Sequence, residues 1–328
     1  MSRTAFVTGG TGFLGINLIE ELIKNGWEVI AMHRPSSDLT HIKKFNVKLV
    51  EGKLDNYESL SSIFPEDVDV VFHTAANTTL IKKYRKQQYR DNVEGTKNMV
   101  KCAIAKRAKK FIFTSSISAY GIHDYEIDEN TVSNVERCSK STYYDLTKYY
   151  AEREVKQSVS KGLNAVILNP CRIMGPYSYK GWTFFVKTAY NDKIPFIPSG
   201  VGSVCHVRDV ANAHIKAVDK GRKGENYLLG GKNTSFLSIV RKTQEILGKK
   251  MSNRVTPDWL LWTFCYILLF FSKISGKPPL LTPETVRLLT EKITCNYSKA
   301  IKELDYQSSS LEKIIKDIIN WLEKEEIV

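Results

Sequence analysis

Thr8-Gly9-Gly10-Thr11-Gly12-Phe13-Leu14-Gly15 is the stretch that decides the fold. Ahead of it the apolar run Thr4-Ala5-Phe6-Val7 reads as a buried parallel strand. Behind it Ile16 to Lys24 carries apolar residues at helical spacing, and Gly26 suits a left-handed C-terminal cap. Strand, glycine turn and helix together form the context of a dinucleotide-binding loop. Gly9 permits the tight turn, Gly12 lets backbone N–H groups approach a pyrophosphate, and Gly15 lets the helix pack close to the sheet. The positive end of the helix dipole then faces the phosphates.

Working outward, Glu28–Met32, Val47–Val50, Asp69–Phe72, Phe111–Thr114 and Ala165–Leu168 read as further strands. Helical patterns separate most of them, which predicts an α/β fold with a Rossmann-type doubly wound parallel sheet over residues 1–169. After Pro170, glycines and prolines interrupt the chain. A helix from Val210 to Val218 and a strand at Tyr227–Leu229 then return residues 205–230 to the first unit. Residues 170–204 and 231–328 are expected to form a smaller, mostly helical substrate-binding lobe over the carboxyl ends of the strands.

Composition narrows the class. With 328 residues, 42% hydrophobic and 25% charged, the chain can bury a large core as an ordinary globular protein. Six scattered cysteines without a C-x-x-C pair point to a reducing compartment and to no metal site. No signal peptide is legible near Met1, so the expected location is cytoplasmic. The net charge of +13 gathers partly in Lys82-Lys83-Tyr84-Arg85-Lys86 and Lys106-Arg107-Ala108-Lys109-Lys110. Solvated helix faces account for it, or attraction to an anionic surface; no nucleic-acid module accompanies it. Trp259 to Phe271 holds 13 residues without a charge, short of the roughly 20 that span a bilayer. That run fits a buried helix, a substrate-pocket wall or a peripheral membrane contact.

Tyr144-Asp145-Leu146-Thr147-Lys148 carries the chemistry. A Tyr and a Lys four apart share one helix face, so the ammonium can sit near the phenol, lower its pKa and make it a general acid/base. The fifth strand runs into Thr114-Ser115-Ser116-Ile117-Ser118-Ala119-Tyr120-Gly121, which places hydroxyls at a strand's carboxyl end. Small residues in Phe72-His73-Thr74-Ala75-Ala76 would let a cofactor lie against the backbone.

In this order and spacing, these motifs resemble the extended short-chain dehydrogenase/reductase (NAD-dependent epimerase/dehydratase) family, in particular its dihydroflavonol 4-reductase and 3β-hydroxysteroid dehydrogenase branch. Asn92-Val93-Glu94-Gly95-Thr96, Asn169-Pro170, His206-Val207-Arg208-Asp209-Val210 and Gly276 to Pro283 add to the resemblance, which covers nearly the whole chain. It implies Ser116, Tyr144 and Lys148 as catalytic, with Ser115 the neighbour that could take the place of Ser116. It further implies a cofactor held by Gly9, Thr11, Gly12, Phe13, Leu14, Gly15, Leu54, Thr74, Ala75, Ala76, Asn92, Thr114, Tyr144, Lys148 and Pro170. The chain departs from the family at Lys53, where an Asp usually contacts adenine. At the end of the second strand, Met32-His33-Arg34-Pro35-Ser36-Ser37 offers no carboxylate for ribose hydroxyls. Arg34 and the serines suit a 2′-phosphate instead, which favours NADP over NAD.

The expected activity is interconversion of a carbonyl and a secondary alcohol on a small lipophilic substrate, with Tyr177, Tyr179, Trp182, Phe184 and Phe185 toward the pocket. A nucleotide-sugar epimerase or dehydratase holding NAD is the alternative, and a non-catalytic NAD(P) sensor the third reading. A homodimer is compatible with the sequence.

Overall fold

A computed structural model describes residues 2–178, 181–275, 279 and 281–328. Tyr179 and half of the Gly276–Pro283 motif therefore lie outside the described residues. Six apolar runs become β1 (Thr4–Thr8), β2 (Glu28–His33), β3 (Lys48–Glu51), β4 (Val70–His73), β5 (Lys110–Thr114) and β6 (Ala165–Pro170). Beyond them come β7 (Arg172–Met174), β8 (Val201–His206), β9 (Asn226–Leu229), β10 (Asn233–Ser235) and β11 (Lys292–Ile293).

Seven strands pair in parallel in the order β3-β2-β1-β4-β5-β6-β9. The order reverses beside β1, so a crevice opens where β1 and β4 end. Both faces of the sheet are covered, and alternate residues serve opposite layers. Ala5, Val7, Val29 and Phe72 pack under the helices Phe13–Lys24 and Val207–Lys220. Phe6, Val71, Phe111 and Phe113 pack under Gly95–Ala105 and Tyr143–Ser160. Each such buried side chain contributes about 1.5–3 kcal/mol, so the sheet is the rigid base on which the loops sit.

The chain after Pro170 is mostly helical, as read, but it also holds a second sheet that the sequence reading lacks. β8 pairs antiparallel with β10 on one edge and parallel with β7 and β11 on the other. These strands are two to six residues long, too short for alternation to stand out from the flanking loops. A third apolar cluster forms here, from Phe185, Val186, Phe236, Ile239, Ile318 and Trp321 among others.

The helix packs against the glycine loop most closely at Gly15, where an added Cβ would lie 2.1 Å from the Gly9 carbonyl oxygen. That neighbour is backbone and cannot rotate away. Gly15→Ala should lower unfolding free energy by about 1–3 kcal/mol in urea denaturation and weaken dinucleotide binding together with it. Unchanged stability would show that helix and loop do not meet this closely.

Candidate active site

The crevice at the end of β1 is a cradle built from backbone. Gly9 takes a φ of +73°, and its carbonyl accepts the Gly12 N–H at 2.9 Å. A Cβ on Gly9 would sit 2.7 Å from the Ala75 nitrogen, so β1 and β4 can approach here only with glycine. Thr74 Oγ1 donates to the Thr8 carbonyl at 2.7 Å and fixes that approach. The Phe13–Lys24 helix begins at Gly12 without a side-chain cap and without an acidic residue in its first turn. Its leading N–H groups and positive dipole end are left for an anion. A Cβ on Gly12 would meet, among the described residues, only the Gly9 oxygen at 3.2 Å. Thr11, Phe13 and Leu14 complete the loop, and the whole fits the diphosphate of a dinucleotide.

Tyr144 follows one residue after the start of the Tyr143–Ser160 helix. A reciprocal cap secures that start: Thr142 N–H donates to Asp145 at 2.7 Å, and Asp145 N–H donates to Thr142 Oγ1 at 3.2 Å. The phenol is hydrogen-bonded to the Ser116 hydroxyl. Burial pushes the Tyr144 pKa up to about 12; Ser116 lowers it and the Asp145 carboxylate raises it. The two adjacent serines have different tasks. Ser115 Oγ donates to Glu152 Oε2 at 2.7 Å, away from the phenol, whereas Ser116 Oγ faces Tyr144 and accepts the Ser118 N–H at 3.1 Å.

Lys148 sits differently from the simple pairing read from the sequence. Its ammonium donates to the Thr114 carbonyl at 2.7 Å and lies 4.7 Å from the Phe113 ring centroid. Burial pulls its pKa down to about 8, partly opposed by Glu152. Among the described residues Lys148 is not one of the groups that shift Tyr144. It acts on His73 instead, whose pKa burial and the Lys148 charge push down to about 3.

Beneath these side chains lies a buried polar layer whose importance the sequence reading missed. Thr96 Oγ1 donates to the Asn92 carbonyl at 2.6 Å, so neutral His73 donates from Nε2 to Thr96 and accepts from Thr8 at Nδ1. Asn92 lies in a π-helical turn, Arg90–Glu94, and its amide is committed to Asn77 and to Thr147 Oγ1. Asn92 is thus a clamp on the Tyr144 helix. Asn169 donates to Ser116 O and Glu152, while Pro170 ends β6 buried against Leu229.

Tyr144 opens on a cleft of about 160 Å³ whose apolar walls are Leu80, Ile122, Leu288 and Ile293. Of the aromatic residues assigned to this pocket from sequence, Tyr177, Trp182, Phe184 and Phe185 do not line it. Trp182 stacks on Phe236 at 3.8 Å and Phe185 packs on Phe236 at 4.6 Å, both inside the third apolar cluster. Tyr177 meets His41 and Trp321. These side chains were assigned by their place after β6, but their area is used in holding the helices of the second lobe. Arg34 stands exposed past β2, and among the described residues its guanidinium has no partner. Nearby Asp38 is occupied by the Thr40 N–H and hydroxyl. Leu54 touches Gly95, and its carbonyl accepts from Asn98. Ala76 is exposed beside the half-buried Ala75.

The sequence pattern of the NAD dependent epimerase/dehydratase family matches residues 5–230. A Synechocystis protein provisionally named a dihydroflavonol 4-reductase is 29% identical, over 98% of this chain and 95% of its own. Sterol demethylase protein B of Methylococcus capsulatus is 28% identical over 97% of this chain and 98% of its own. Among solved structures, the UDP-glucose 4-epimerase of Thermotoga maritima superposes with a TM-score of 0.79 over 99% of this chain and 100% of its own. At 22% identity that likeness speaks for the fold alone.

The division of labour between the serines can be measured. Ser116→Ala should lower turnover by roughly 10²-fold with little change in stability, as for loss of a hydrogen bond to a reacting oxygen. Ser115→Ala should keep most turnover and lower stability by about 1–3 kcal/mol, because it leaves a buried carboxylate short of a donor. The reverse pattern would exchange their roles.

Proposed function

We propose, from the premise that the chain belongs to the NAD dependent epimerase/dehydratase family and is an NAD(P)-dependent enzyme, that it interconverts a carbonyl and a secondary alcohol on a small lipophilic substrate with NADP. The observation that carries this reading is the state of the cations at the cleft. Lys140 pairs with Glu291 at 3.0 Å, and Arg287 donates to the Ser139 carbonyl at 3.1 Å. Glu291 thus neutralises Lys140 and part of the Arg287 fork is already engaged, which weakens the cleft's claim on the diphosphate of a nucleotide sugar, whereas aliphatic walls suit a hydrocarbon skeleton. The two similar proteins named for dihydroflavonol and sterol chemistry support the same class. All six cysteines are free, which accords with a cytoplasmic enzyme.

The bound cofactor supplies or accepts the hydride. Tyr144 gives its phenolic proton to the substrate oxygen as the carbonyl becomes an alcohol, and takes it back in the reverse direction. Ser116 hydrogen-bonds the same oxygen and holds the phenol in line. Lys148, anchored on the Thr114 carbonyl, brings a positive charge to the floor of the site. The cradle from Gly9 to Gly15 would hold its diphosphate. Arg34 would meet a 2′-phosphate in charge-assisted contact, with the nearby Asp38 carboxylate already occupied by Thr40.

Tyr144→Phe should preserve folding and cut NADPH-dependent reduction of a steroid or aromatic ketone by roughly 10²–10⁴-fold. Turnover of a nucleotide sugar without net cofactor consumption would replace the reading with an epimerase. Titrations with NADPH and NADH test the cofactor: the wild type should prefer NADPH by about ten- to a hundredfold, and Arg34→Ala should erase most of that margin. Tighter NADH binding by the wild type would overturn the NADP assignment.

A further inference from the structure

The uncharged run near residue 260 forms an 18-residue helix, Asp258–Ser275, five residues longer than the run itself. Only Leu261 and Cys265 are buried in it, against Leu281 and Val286. Its other sides are apolar and open: Trp259 is 69% exposed, Tyr266 61%, Phe270 62% and Ile274 70%. Phe264, Ile267 and Phe271 are exposed with them. A helix apolar all round belongs inside a core or against lipid, and this chain covers one narrow strip of it.

We propose that this helix seats the protein on an anionic membrane, lying in the plane of the headgroup region. Its length of about 27 Å is close to a hydrocarbon core, but it is bound along its side to the protein body. Ser199 donates to Asp258 at 2.7 Å at one end, and Cys265 Sγ donates to the Leu281 carbonyl at 3.6 Å mid-helix. A crossing helix would drag that body into the bilayer. Trp259 and Tyr266 have the amphipathic rings that settle at the interface, and Lys273 adds a positive charge near the end of the helix.

Charge selects the occupant. The Pro283–Thr290 helix, which supports the apolar one, carries Glu284, and Arg85 reaches it at 3.2 Å. That contact brings the exposed Lys82, Lys83, Tyr84 and Lys86 to the neighbourhood of the apolar helix. With a net charge of +13, a second copy of the chain would oppose like charge to like, whereas anionic lipid complements it. The same supporting helix presents Arg287 and Leu288 to the Tyr144 cleft. A substrate dissolved in the membrane would therefore arrive beside the reacting groups; this last step rests on the function proposed above, and the attachment does not.

Flotation of the full chain with phosphatidylcholine vesicles, with and without phosphatidylglycerol, tests the attachment. Binding should need the anionic lipid, fall as salt is added, and drop by at least about tenfold in Ile267→Asp/Phe270→Asp, whose circular dichroism and melting should match wild type. No flotation at low salt, or undiminished flotation of the double variant, would overturn the proposal. A dimer that the double variant splits, without vesicle binding, would overturn it too and give the face to a second copy. Ketone turnover in solution is read separately, so failure of attachment and failure of the oxidoreductase reading remain distinct.

Discussion

One buried carboxylate holds the working parts in register. Glu152, one turn after Lys148, accepts from Ser115 beyond β5, from Asn169 on β6, from Asn226 on β9 and from Lys156 on its own helix. Burial alone would raise its pKa, but Lys156 and these donors hold it below the usual carboxylate value. The ion is therefore fully provided for, which is the condition under which a buried charge is tolerable. Its consequence is geometric. The helix that carries Tyr144 and Lys148 cannot slide along the sheet without breaking bonds to three strand ends at once. Ser115 is held, so Ser116, the next residue, is presented to the phenol.

The same arrangement explains what could be read beforehand. The seven-stranded sheet was legible because each strand is a short apolar run bounded by turns, and because Gly9, Gly12 and Gly15 fall between a strand and a helix. Ser116, Tyr144 and Lys148 were legible as residue types at suggestive spacing. Glu152 was not: a glutamate in a helix of alternating charge reads as a solvated side chain until the fold closes over it. The role of His73 was likewise hidden, and Asn92 was legible as a cofactor candidate but not as a clamp, since their partners Thr8, Thr96 and Asn77 are brought together only by the fold. The aromatics Tyr177, Trp182, Phe184 and Phe185 misled for the opposite reason. Aromatic area serves a core as well as a pocket, and only packing against Phe236 and Trp321 tells the two apart.

The electrostatics of the site set the resting protonation state of its groups. A proton donor must be protonated before it acts, and burial keeps the Tyr144 phenol neutral with a pKa near 12. That state suits delivery of a proton to a carbonyl oxygen as it gains negative charge. Lys148, pulled down to about 8, still carries its charge near neutral pH, and the Thr114 carbonyl holds that charge on the floor of the site. His73 lies on the same floor and stays neutral, so it adds no second cation there. Reduction thus finds the phenol ready. Oxidation of an alcohol needs the phenolate, which in this site requires further positive charge in the cleft. The neutral, proton-bearing phenol is the form these groups stabilise, because desolvation outweighs the other contributions acting on it.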